Sequence, residues 1–431
     1  MTELLVKNAR FVITVDAEFK ILENQDIFID QKKIVEIKKS VADSTADQVI
    51  DASGLLVMPG LINTHTHLPM TLLRGIAEDV DLQGFLEKVW AEEARIMDAA
   101  GCLIGARLGA LEALLSGTTC AVDMYLHPKE THQGAVEVGL RHVNGPVFFE
   151  FPGPDNKQWP ERIAEAKAWP NVVSEIGGPE VPIYLMPHST YTVSPDKLSE
   201  ISQVAKEVKA RIHTHVSENL AENEDVISRF KATPSQVLAA TDNLKNSLLG
   251  HSVHLSDDDL NLIKSNNASL AHCPGSNLKL ASGAFDWDSR RNHQINVTLG
   301  TDGCSSSNDL DMFNVMRLAA NLAKLVKEDP KAVSVDEIIY AATQAGAKAI
   351  GLGDKLGSVE VDKYADLIML DLAAPHLTPM RNPAALVVYA AGRSDVKHVL
   401  VDGKLVIENR RSTRVEIDEV IQSAKEKVKQ R

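Results

Sequence analysis

The sequence predicts an α/β protein built on a (β/α)8 TIM-type barrel, with a small composite β-sandwich domain formed by both chain ends. Two patterns support this prediction. Eight short apolar runs alternate with helix-like segments across the middle of the chain, and both ends carry short alternating strands bounded by polar turns. The predicted domains are residues 1–57 and 356–431, the latter with a C-terminal helix, for the two parts of the β-sandwich, and residues 58–355 for the barrel.

The composition is that of an ordinary globular protein. Of the 431 residues, 44% are hydrophobic and 24% are charged. Acidic residues outnumber basic ones by 59 to 45, the formal net charge is -14, and no Lys/Arg cluster would suit a phosphate backbone. We therefore expect no nucleic acid partner.

The cysteines and the apolar segments indicate a cytoplasmic protein. The chain has four widely separated cysteines and no C-x-x-C pair, namely Cys102, Cys120, Cys273 and Cys304. This usage fits free thiols in a reducing cytosol. The amino terminus does not have the pattern of a signal peptide, and the most apolar long window, residues 99–122, is interrupted by Arg107 and Glu112. We expect no membrane association.

The pattern of apolar and polar residues predicts the strands of the amino-terminal part and the first barrel strand. Four alternating segments are predicted as strands, at residues 4–6, 11–15, 26–29 and 33–37. The apolar run 55–62 then leads into His65 and His67. On a strand this spacing places both imidazoles on one face, roughly 6–7 Å apart at their Cα atoms, so both can reach one metal ion. Alone, a His-x-His pair is a weak signal.

Seven further apolar runs complete the predicted barrel. They are residues 118–124, 143–149, 183–186, 211–215, 247–251, 269–272 and 296–301. Helical patterns such as residues 196–209 and 309–327 lie between or after several of them. Because the chemistry of such barrels sits at the carboxyl ends of the strands, polar residues at those ends are the candidates for function.

Five of the eight runs end in a residue suited to metal or proton chemistry. In chain order these residues are His65 and His67, His188, His215, His251, and Asp302. Histidines scattered for structural reasons would not follow the strand ends so closely. Beyond the barrel, the pattern predicts a closing helix over 334–351, strands over 367–370, 398–401 and 404–407, and a charged helix over 415–431.

Four of these residues form a candidate metal site, made of His65, His67, His215 and Asp302. Three nitrogens and one oxygen from different strands suit zinc or ferrous iron, with a position left for an activated water. The fourth run ends in His188 and offers no lysine to bridge a second metal. We expect one divalent metal per chain, zinc before ferrous iron.

Glu218 is the candidate proton carrier. It lies three residues beyond His215, so its carboxyl group can stand beside the metal without binding it. A solvated helix residue is the commoner role of a glutamate, and only the position after His215 favours the catalytic one. His251 is either a fifth ligand or a hydrogen-bond partner of the nucleophile. Asp302, besides binding the metal, is able to take the proton of the water.

Four motifs occur in a fixed order along the chain. They are PGLINTHTH at 59–67, HTHVSE at 213–218, HCPGSNLKL at 272–280 and GTDG at 300–303. Together they resemble the amidohydrolase superfamily, and more narrowly its 5′-methylthioadenosine/S-adenosylhomocysteine deaminase branch, near the chlorohydrolases and guanine deaminases. The resemblance covers nearly the whole chain and is more specific for the superfamily than for the substrate.

The resemblance implies a hydrolase that converts an adenine nucleoside to its inosine analogue and ammonia. It implies that the four ligands hold the metal, that Glu218 protonates the ring nitrogen and that His251 orients the nucleophile. It also implies that Glu93 binds the ribose hydroxyls. The substrate-binding candidates are Trp90, Glu93, His188, Glu218 and Ser306. Without the resemblance, Glu93 reads as a solvated helix charge and Trp90 as a core residue, and both readings stay open.

The chain departs from the pattern after the third strand. Members that accept S-adenosylhomocysteine are expected to place arginines there for the amino-acid carboxylate, but here Phe149, Phe151 and Trp159 occupy the segment and no arginine precedes Arg162. Leaving a carboxylate desolvated and unpaired costs several kcal/mol. We expect 5′-methylthioadenosine or 5′-deoxyadenosine to be better substrates than S-adenosylhomocysteine.

Two other functions compete with this one. The first is hydrolysis of another aromatic amine or halide, such as a triazine, guanine or pterin, because the metal site is common to all. The second is a non-catalytic scaffold with the same fold, which would be free to lose its ligands, whereas this chain keeps every position. If the protein is an enzyme, its partner is a small nucleoside or aromatic amine. We also expect a homo-oligomer.

Overall fold

The computed structural model describes residues 3–80 and 82–429. Its strands are β1 (Leu4–Ile13), β2 (Ile21–Asp30), β3 (Lys33–Lys39), β4 (Gln48–Asp51), β5 (Leu55–Pro59), β6 (Leu61–His67), β7 (Thr118–Asp123), β8 (Arg141–Asn144), β9 (Val147–Phe148), β10 (Tyr184–Pro187), β11 (Arg211–Val216), β12 (Leu248–His251), β13 (Ser269–His272), β14 (Asn296–Leu299), β15 (Asp302–Gly303), β16 (Leu367–Asp371), β17 (Val396–Val401), β18 (Lys404–Glu408) and β19 (Arg411–Ser412).

Helices separate most of the central strands. They are α1 (Leu82–Ile96), α2 (Ala99–Leu115), α3 (Pro128–Val138), α4 (Trp159–Ile176), α5 (Pro195–Val208), α6 (Leu220–Phe230), α7 (Pro234–Ala240), α8 (Asp257–Ser265), α9 (Pro274–Lys279), α10 (Trp287–Asn292), α11 (Met312–Lys327), α12 (Val335–Ala342), α13 (Gln344–Ala349), α14 (Pro383–Tyr389) and α15 (Ile417–Lys429). Short 3-10 helices cover Leu68–Leu73, Pro375–Leu377 and Arg393–Asp395.

Strands from both ends of the chain form one mixed sheet. Its order is β19-β18-β17-β16-β5-β1-β2-β3, and β4 pairs with β1 beside this path. The predicted segments 4–6 and 11–15 belong to the single strand β1, whose register with β2 shifts between Val6 and Ala9. The β17–β18 turn holds Asp402 and Gly403 at φ of +53° and +75°, the left-handed values that a tight hairpin requires.

The middle of the chain forms two parallel sheets. One has the order β15-β6-β7-β8 and the other has the order β14-β13-β12-β11-β10-β9. All of their strand pairs are parallel. Each of the eight predicted apolar runs contains one or two of these strands, and the helices between them make this an α/β architecture.

Two of the predicted strands are interrupted. The run 143–149 is divided into β8 and β9 by Gly145 and Pro146, and a proline has no N–H to donate to a ladder. The run 296–301 ends at β14, and Gly300 then passes within van der Waals contact of β6. A Cβ atom at Gly300 would lie 2.9 Å from the backbone nitrogen of His65 and 2.8 Å from its carbonyl oxygen. Only glycine allows this approach.

The predicted helix over 334–351 is two helices, α12 and α13. Thr343 separates them with φ of −134° and ψ of −90°. Its hydroxyl donates a 2.6 Å hydrogen bond to the carbonyl of Ile339, one turn back. Such side-chain bonds compete with the helical backbone pattern, which a sequence period alone does not reveal.

The four cysteines are buried free thiols. This agrees with the sequence expectation that none belongs to a disulfide framework. Over the residues that the structure describes, no helix combines the length and the apolar character needed to cross a membrane.

A buried ion pair links the mixed sheet to the parallel strands. Arg141 on β8 donates from Nε and Nη2 to the two carboxylate oxygens of Asp366, each at 2.9 Å, and Nη2 also contacts Asp402 at 3.0 Å. Its Nη1 donates to the carbonyl of Glu180 at 2.7 Å. The Arg141 side chain is fully buried, so the guanidinium depends on these partners for all of its polar contacts.

Replacing Arg141 with methionine is expected to lower the free energy of unfolding by about 3–5 kcal/mol, because Asp366 would remain buried without its partner. The urea midpoint of unfolding measures the loss. The control is Arg107→Met, which breaks a half-exposed pair with Glu137 and should cost at most about 1 kcal/mol. Equal midpoints for the two variants would contradict the assigned importance of this ion pair.

Candidate active site

The carboxyl ends of β6, β11 and β12 and the first residue of β15 bring four potential metal ligands together. His65, His215, His251 and Asp302 each offer one ligand atom, and these atoms all lie within 4.8 Å of one another. All four residues are buried. The ring of His65 is central, with centroids 4.8 Å from His215 and 5.2 Å from His251.

His67 lies at the edge of the same group. Its Nε2 is 3.1 Å from Oδ1 of Asp302 and 3.4 Å from Nε2 of His215. The structure therefore brings together all four ligands predicted from the sequence. It places the Nε2 of His251 among them as well, so that His251 faces both the ligands and Glu218.

A hydrogen-bond chain fixes the tautomer of His65. Nδ1 of His213 lies 2.8 Å from the carbonyl oxygen of Leu248, which only accepts, so this nitrogen carries the proton. Nε2 of neutral His213 is then an acceptor, and it receives the Nδ1–H of His65 at 2.8 Å. The lone pair of His65 is left on Nε2, which points into the ligand group.

Backbone carbonyls fix two further imidazoles in the same way. His67 donates from Nδ1 to the carbonyl of Met124 at 2.6 Å, and His215 donates from Nδ1 to the carbonyl of His188 at 2.7 Å. Because a carbonyl cannot donate, both rings carry a proton on Nδ1 when neutral. Their Nε2 lone pairs face the same point as that of His65.

Side chains orient the remaining two groups. Nδ1 of His251 lies 2.9 Å from Oδ1 of Asn277, and the Ser306 hydroxyl donates to Oδ2 of Asp302 at 2.7 Å. Burial by itself raises the pKa of Asp302, but the neighbouring imidazoles of His65, His67 and His251 hold it well below its usual value. Asp302 is therefore ionised, as a metal ligand must be.

The charge state of His65 also suits a ligand. Burial lowers its pKa to about 4, so the ring is neutral at neutral pH. Its Nε2 is buried and has no hydrogen-bond partner. A buried nitrogen left without a partner is costly in an apolar interior, whereas a metal ion would use its lone pair. The donor set of imidazole nitrogens and one carboxylate fits zinc or ferrous iron.

Glu218 stands beside this group. It lies in the turn between β11 and α6 rather than inside a helix, and its Oε2 is 3.8 Å from Nε2 of His251. Its side chain is 8% exposed, and burial raises its pKa. A raised pKa lets a carboxyl group hold a proton more readily than a solvated glutamate does.

An apolar cavity opens from the ligands. His67, His215, Glu218 and Asp302 line it at the ligand end. Six of its other lining residues are large and apolar, namely Phe85, Val89, Met124, Leu126, Phe149 and Leu280. The cavity therefore suits a flat ring system that is mostly apolar, with its polar contacts concentrated at a few groups.

Glu93 on α1 also lines this cavity and is not a solvated helix charge. Its side chain is buried, and the Tyr125 hydroxyl donates to its Oε1 at 2.7 Å. Burial raises the pKa of Glu93 to about 7. The hydrogen bond occupies one carboxylate oxygen and leaves the other available to a ligand in the cavity.

Aromatic rings form one wall of the cavity. Trp90 is half-buried, and its ring lies 6.4 Å from Phe149 and 5.7 Å from Phe151 between centroids. The ring of His188 is 4.9 Å from Phe149, and burial lowers its pKa to about 3. Trp90, Phe149 and His188 line the cavity without a formal charge, and Phe151 packs beside Trp90 and Phe149.

The cations nearest this wall are already paired. Arg162 is fully buried, and its Nη1 and Nη2 donate to the two oxygens of Asp155 at 3.1 and 2.6 Å. It also donates to the carbonyls of Val147 and Pro152. Lys157 donates to Glu165 at 2.6 Å. A ligand carboxylate at this wall finds neither cation free.

The sequence analysis did not predict several of the residues that orient the site. His213 stands two residues before His215, so the same His-x-His spacing that singled out His65 and His67 was a signal for it. Tyr125 carries no such signal, because its contact with Glu93 depends on how α1 packs against the end of β7. Asn277 lies in a recognised motif, but its contact with His251 becomes visible only in three dimensions.

Comparison with known proteins gives a consistent picture. A profile described as "Amidohydrolase family" matches residues 56–406. The 5-methylthioadenosine/S-adenosylhomocysteine deaminase of Pyrococcus furiosus is 39% identical, over 94% of this chain and 95% of that protein. The 5'-deoxyadenosine deaminase of Methanobrevibacter smithii is 35% identical over 99% and 98%. An adenosine deaminase from Xanthomonas campestris, solved with bound zinc, superimposes with a TM-score of 0.94 at 31% identity, covering 99% and 98%.

The purified protein is expected to contain one divalent metal per chain, because the converging lone pairs and Asp302 enclose a single point. His215→Ala should lose this metal, since it removes a ligand without changing the fold of β11. The control, His293→Ala, lies outside the ligand group and should keep it. Elemental analysis measures all three proteins. Two metals per chain, both required for activity, would contradict this assignment.

Proposed function

This chain belongs to the amidohydrolase family, and from that premise we propose that it is a metal-dependent deaminase of adenine nucleosides. It is a hydrolase that acts on a carbon–nitrogen bond and converts the nucleoside to its inosine analogue and ammonia. Its cofactor is one divalent metal per chain, for which zinc is the first candidate. The observation that carries this proposal is the convergence of buried imidazole lone pairs and Asp302 beside Glu218, at one end of an apolar cavity.

His65, His67, His215 and Asp302 would hold the metal. The metal supplies the Lewis acidity that activates water for attack at neutral pH. His251 lies among these residues and 3.8 Å from Glu218, where it orients the nucleophile toward the ring. The backbone carbonyls behind His67 and His215 keep the site rigid, so little reorganisation accompanies the reaction.

Deamination needs a proton carrier as well as a nucleophile. The oxygen of water bonds to C6 of the adenine ring and N1 takes a proton. The C6–N bond then breaks as the new C6 hydroxyl gives its proton back to Glu218, and the amino group leaves as ammonia with the proton that Asp302 took from the water. We assign the delivery of the proton to N1 to Glu218, whose raised pKa suits it to this task. Ionised Asp302 accepts the proton of the attacking water.

The rest of the cavity would hold the nucleoside. We propose that Glu93 accepts hydrogen bonds from the ribose hydroxyls through the oxygen that Tyr125 leaves free. His188 and Ser306 line the same cavity. Trp90, with Phe149 and Phe151, would contact the 5′ substituent. This wall is aromatic and its neighbouring cations are paired, which favours a methylthio or methyl group over an amino-acid carboxylate.

We also propose that the two parallel sheets are parts of one closed (β/α)8 barrel. In support, β6 contacts β14 and β8 contacts β10, so the two sheets approach each other at both ends. On this reading β8 with β9, and β14 with β15, are the two halves of interrupted strands. The mixed sheet built by both chain ends would then be the composite β-sandwich domain, covering 1–57 and 356–431 beside a barrel over 58–355.

The cellular setting is inferred from the chain itself. Four buried thiols without disulfide partners support a cytoplasmic location. The partner is a small-molecule nucleoside. A homo-oligomeric assembly, without nucleic acid or membrane partners, stays a prediction from the sequence.

Glu218→Gln should reduce turnover of 5′-methylthioadenosine by several orders of magnitude while leaving the metal content unchanged. An amide fills the same space but does not carry a proton to N1. The loss of adenine absorbance as hypoxanthine forms measures turnover. Glu224→Gln, at an exposed glutamate of α6, the helix that follows Glu218, is the control and should behave as wild type. Near wild-type turnover by Glu218→Gln would reject the proton-carrier role.

The second prediction concerns the 5′ substituent. The value of kcat/KM should be higher for 5′-methylthioadenosine and 5′-deoxyadenosine than for S-adenosylhomocysteine, because the aromatic wall offers no free cation. Phe151→Arg should raise the relative kcat/KM for S-adenosylhomocysteine on the order of tenfold, equivalent to about 1.4 kcal/mol. Phe151→Leu keeps the wall apolar and should not.

A wild-type preference for S-adenosylhomocysteine would contradict the proposed 5′ contact. An absence of activity on every adenine nucleoside would instead move the assignment to another aromatic amine or halide.

A further inference from the structure

The turn that carries Glu218 contains a residue in the left-handed conformation. Ser217, between the β11 end and Glu218, has a φ of +50°. A side chain on Cβ makes this conformation unfavourable by roughly 1 kcal/mol, so surrounding contacts must hold it. The Ser217 hydroxyl has no hydrogen-bond partner and does not contribute to them.

Hydrogen bonds to the carbonyl of Ser217 and to the N–H groups of Ser217 and Glu218 hold the backbone of this turn in place. The Ser217 carbonyl accepts from the backbone N–H groups of Val253 and His254, both at 3.0 Å, in the segment after β12. On the other side, the Glu222 carboxylate accepts from the N–H of Ser217 at 3.0 Å and from that of Glu218 at 2.7 Å. The peptide that joins Ser217 to Glu218 is therefore held at its carbonyl by Val253 and His254 and at its N–H by Glu222, and Glu222 also holds the N–H of the preceding peptide.

The position of Glu222 in α6 makes this contact unusual. Glu222 is the third residue of the helix, and an acidic or amide residue there ordinarily bonds the backbone N–H of the N-cap residue. Four other α-helices follow that rule: Glu161 bonds Gln158 in α4, Gln236 bonds Thr233 in α7, Asp259 bonds Ser256 in α8, and Glu337 bonds Ser334 in α12.

In α6 the carboxylate reaches further back. The N-cap Asn219 bonds the N–H of Glu222 at 2.9 Å and caps the helix by itself. The cap therefore does not need the Glu222 carboxylate, which instead accepts hydrogen bonds from the backbone N–H groups of Ser217 and Glu218. Its side chain is buried, a costly arrangement for a carboxylate unless hydrogen bonds compensate it.

We propose that Glu222 is a positioning residue for catalysis. Its carboxylate fixes Glu218 beside His251 by accepting hydrogen bonds from the backbone N–H groups of Ser217 and Glu218. The proposal rests on the proposed function, because it assigns Glu222 no contact with the substrate and lets it act through Glu218. A misplacement of about 1 Å at a catalytic group is enough to lower a rate about a hundredfold.

Glu222→Gln tests the proposal. The amide keeps the shape but offers one acceptor oxygen, and its NH2 group would face the other backbone N–H. We expect kcat for 5′-methylthioadenosine to fall about tenfold to a hundredfold, with KM within about twofold and the metal content unchanged. Glu224→Gln, on the exposed side of α6, should leave kcat as in the wild type. A structural loss would instead reduce the folded fraction or the metal content.

A rescue variant separates positioning from general damage. Glycine adopts a φ of +50° without a steric penalty, so Ser217→Gly reduces the dependence of the turn on Glu222. The double variant Ser217→Gly/Glu222→Gln should regain part of the lost kcat. If Glu222→Gln does not fold, Glu222→Asp replaces it, since its shorter side chain keeps the charge but does not span both N–H groups, and its kcat should fall similarly.

The outcomes are distinguishable. Wild-type kcat in Glu222→Gln or Glu222→Asp, with Glu218→Gln inactive, would overturn the positioning role and leave the proposed function intact. Turnover by Glu218→Gln near the wild-type value would instead remove the proposed proton carrier, and with it the reason for positioning it. The proposal would also be overturned if Glu222→Gln lost metal together with kcat and the added Ser217→Gly change restored none of the lost kcat.

Discussion

The site depends on the direction in which each buried imidazole presents its lone pair. Backbone carbonyls at Met124 and His188, which only accept, occupy Nδ1 of His67 and His215, and His213 does the same for His65. Every one of these bonds places the lone pair on Nε2, toward Asp302. The buried Nε2 of His65 has no hydrogen-bond partner, which is costly in an apolar interior, and a bound cation would use its lone pair. The strand positions, and through them the two parallel sheets, provide these carbonyls.

The backbone around the ligands is held in conformations that ordinary residues avoid. Ser217, His251 and Asp302, at the ends of three different strands, have φ values of +50°, +62° and +61°. Such residues persist only where the surroundings hold them, and they turn the chain sharply so that consecutive side chains leave the strand in different directions. This explains how one strand end places His215 within the candidate ligand group and Glu218, three residues later, beside that group.

The sequence was sufficient for the parts of the molecule that follow a local pattern. Apolar runs located the parallel strands, and polar residues at their ends predicted the group of side chains that the structure brings together, because strand ends of a parallel sheet meet at one edge. The interruption at Pro146 was readable in principle, since proline has no N–H. The contact of Tyr125 with Glu93 and the reach of Glu222 past its own helix cap were not readable, because they depend on how helices pack against strand ends. Burial of Glu93 has the same origin.

The same low-polarity surroundings act oppositely on the two carboxyl groups of the proposed reaction. Burial raises the pKa of Glu218, whereas Asp302 accepts a hydrogen bond from Ser306 and lies against the imidazoles of His65, His67 and His251, which hold its pKa well below its usual value. Two carboxyl groups whose environments separate their pKa values are suited to different tasks, one to deliver a proton and the other to hold charge and accept one. The division of roles between them therefore follows from their hydrogen-bond partners rather than from their residue types.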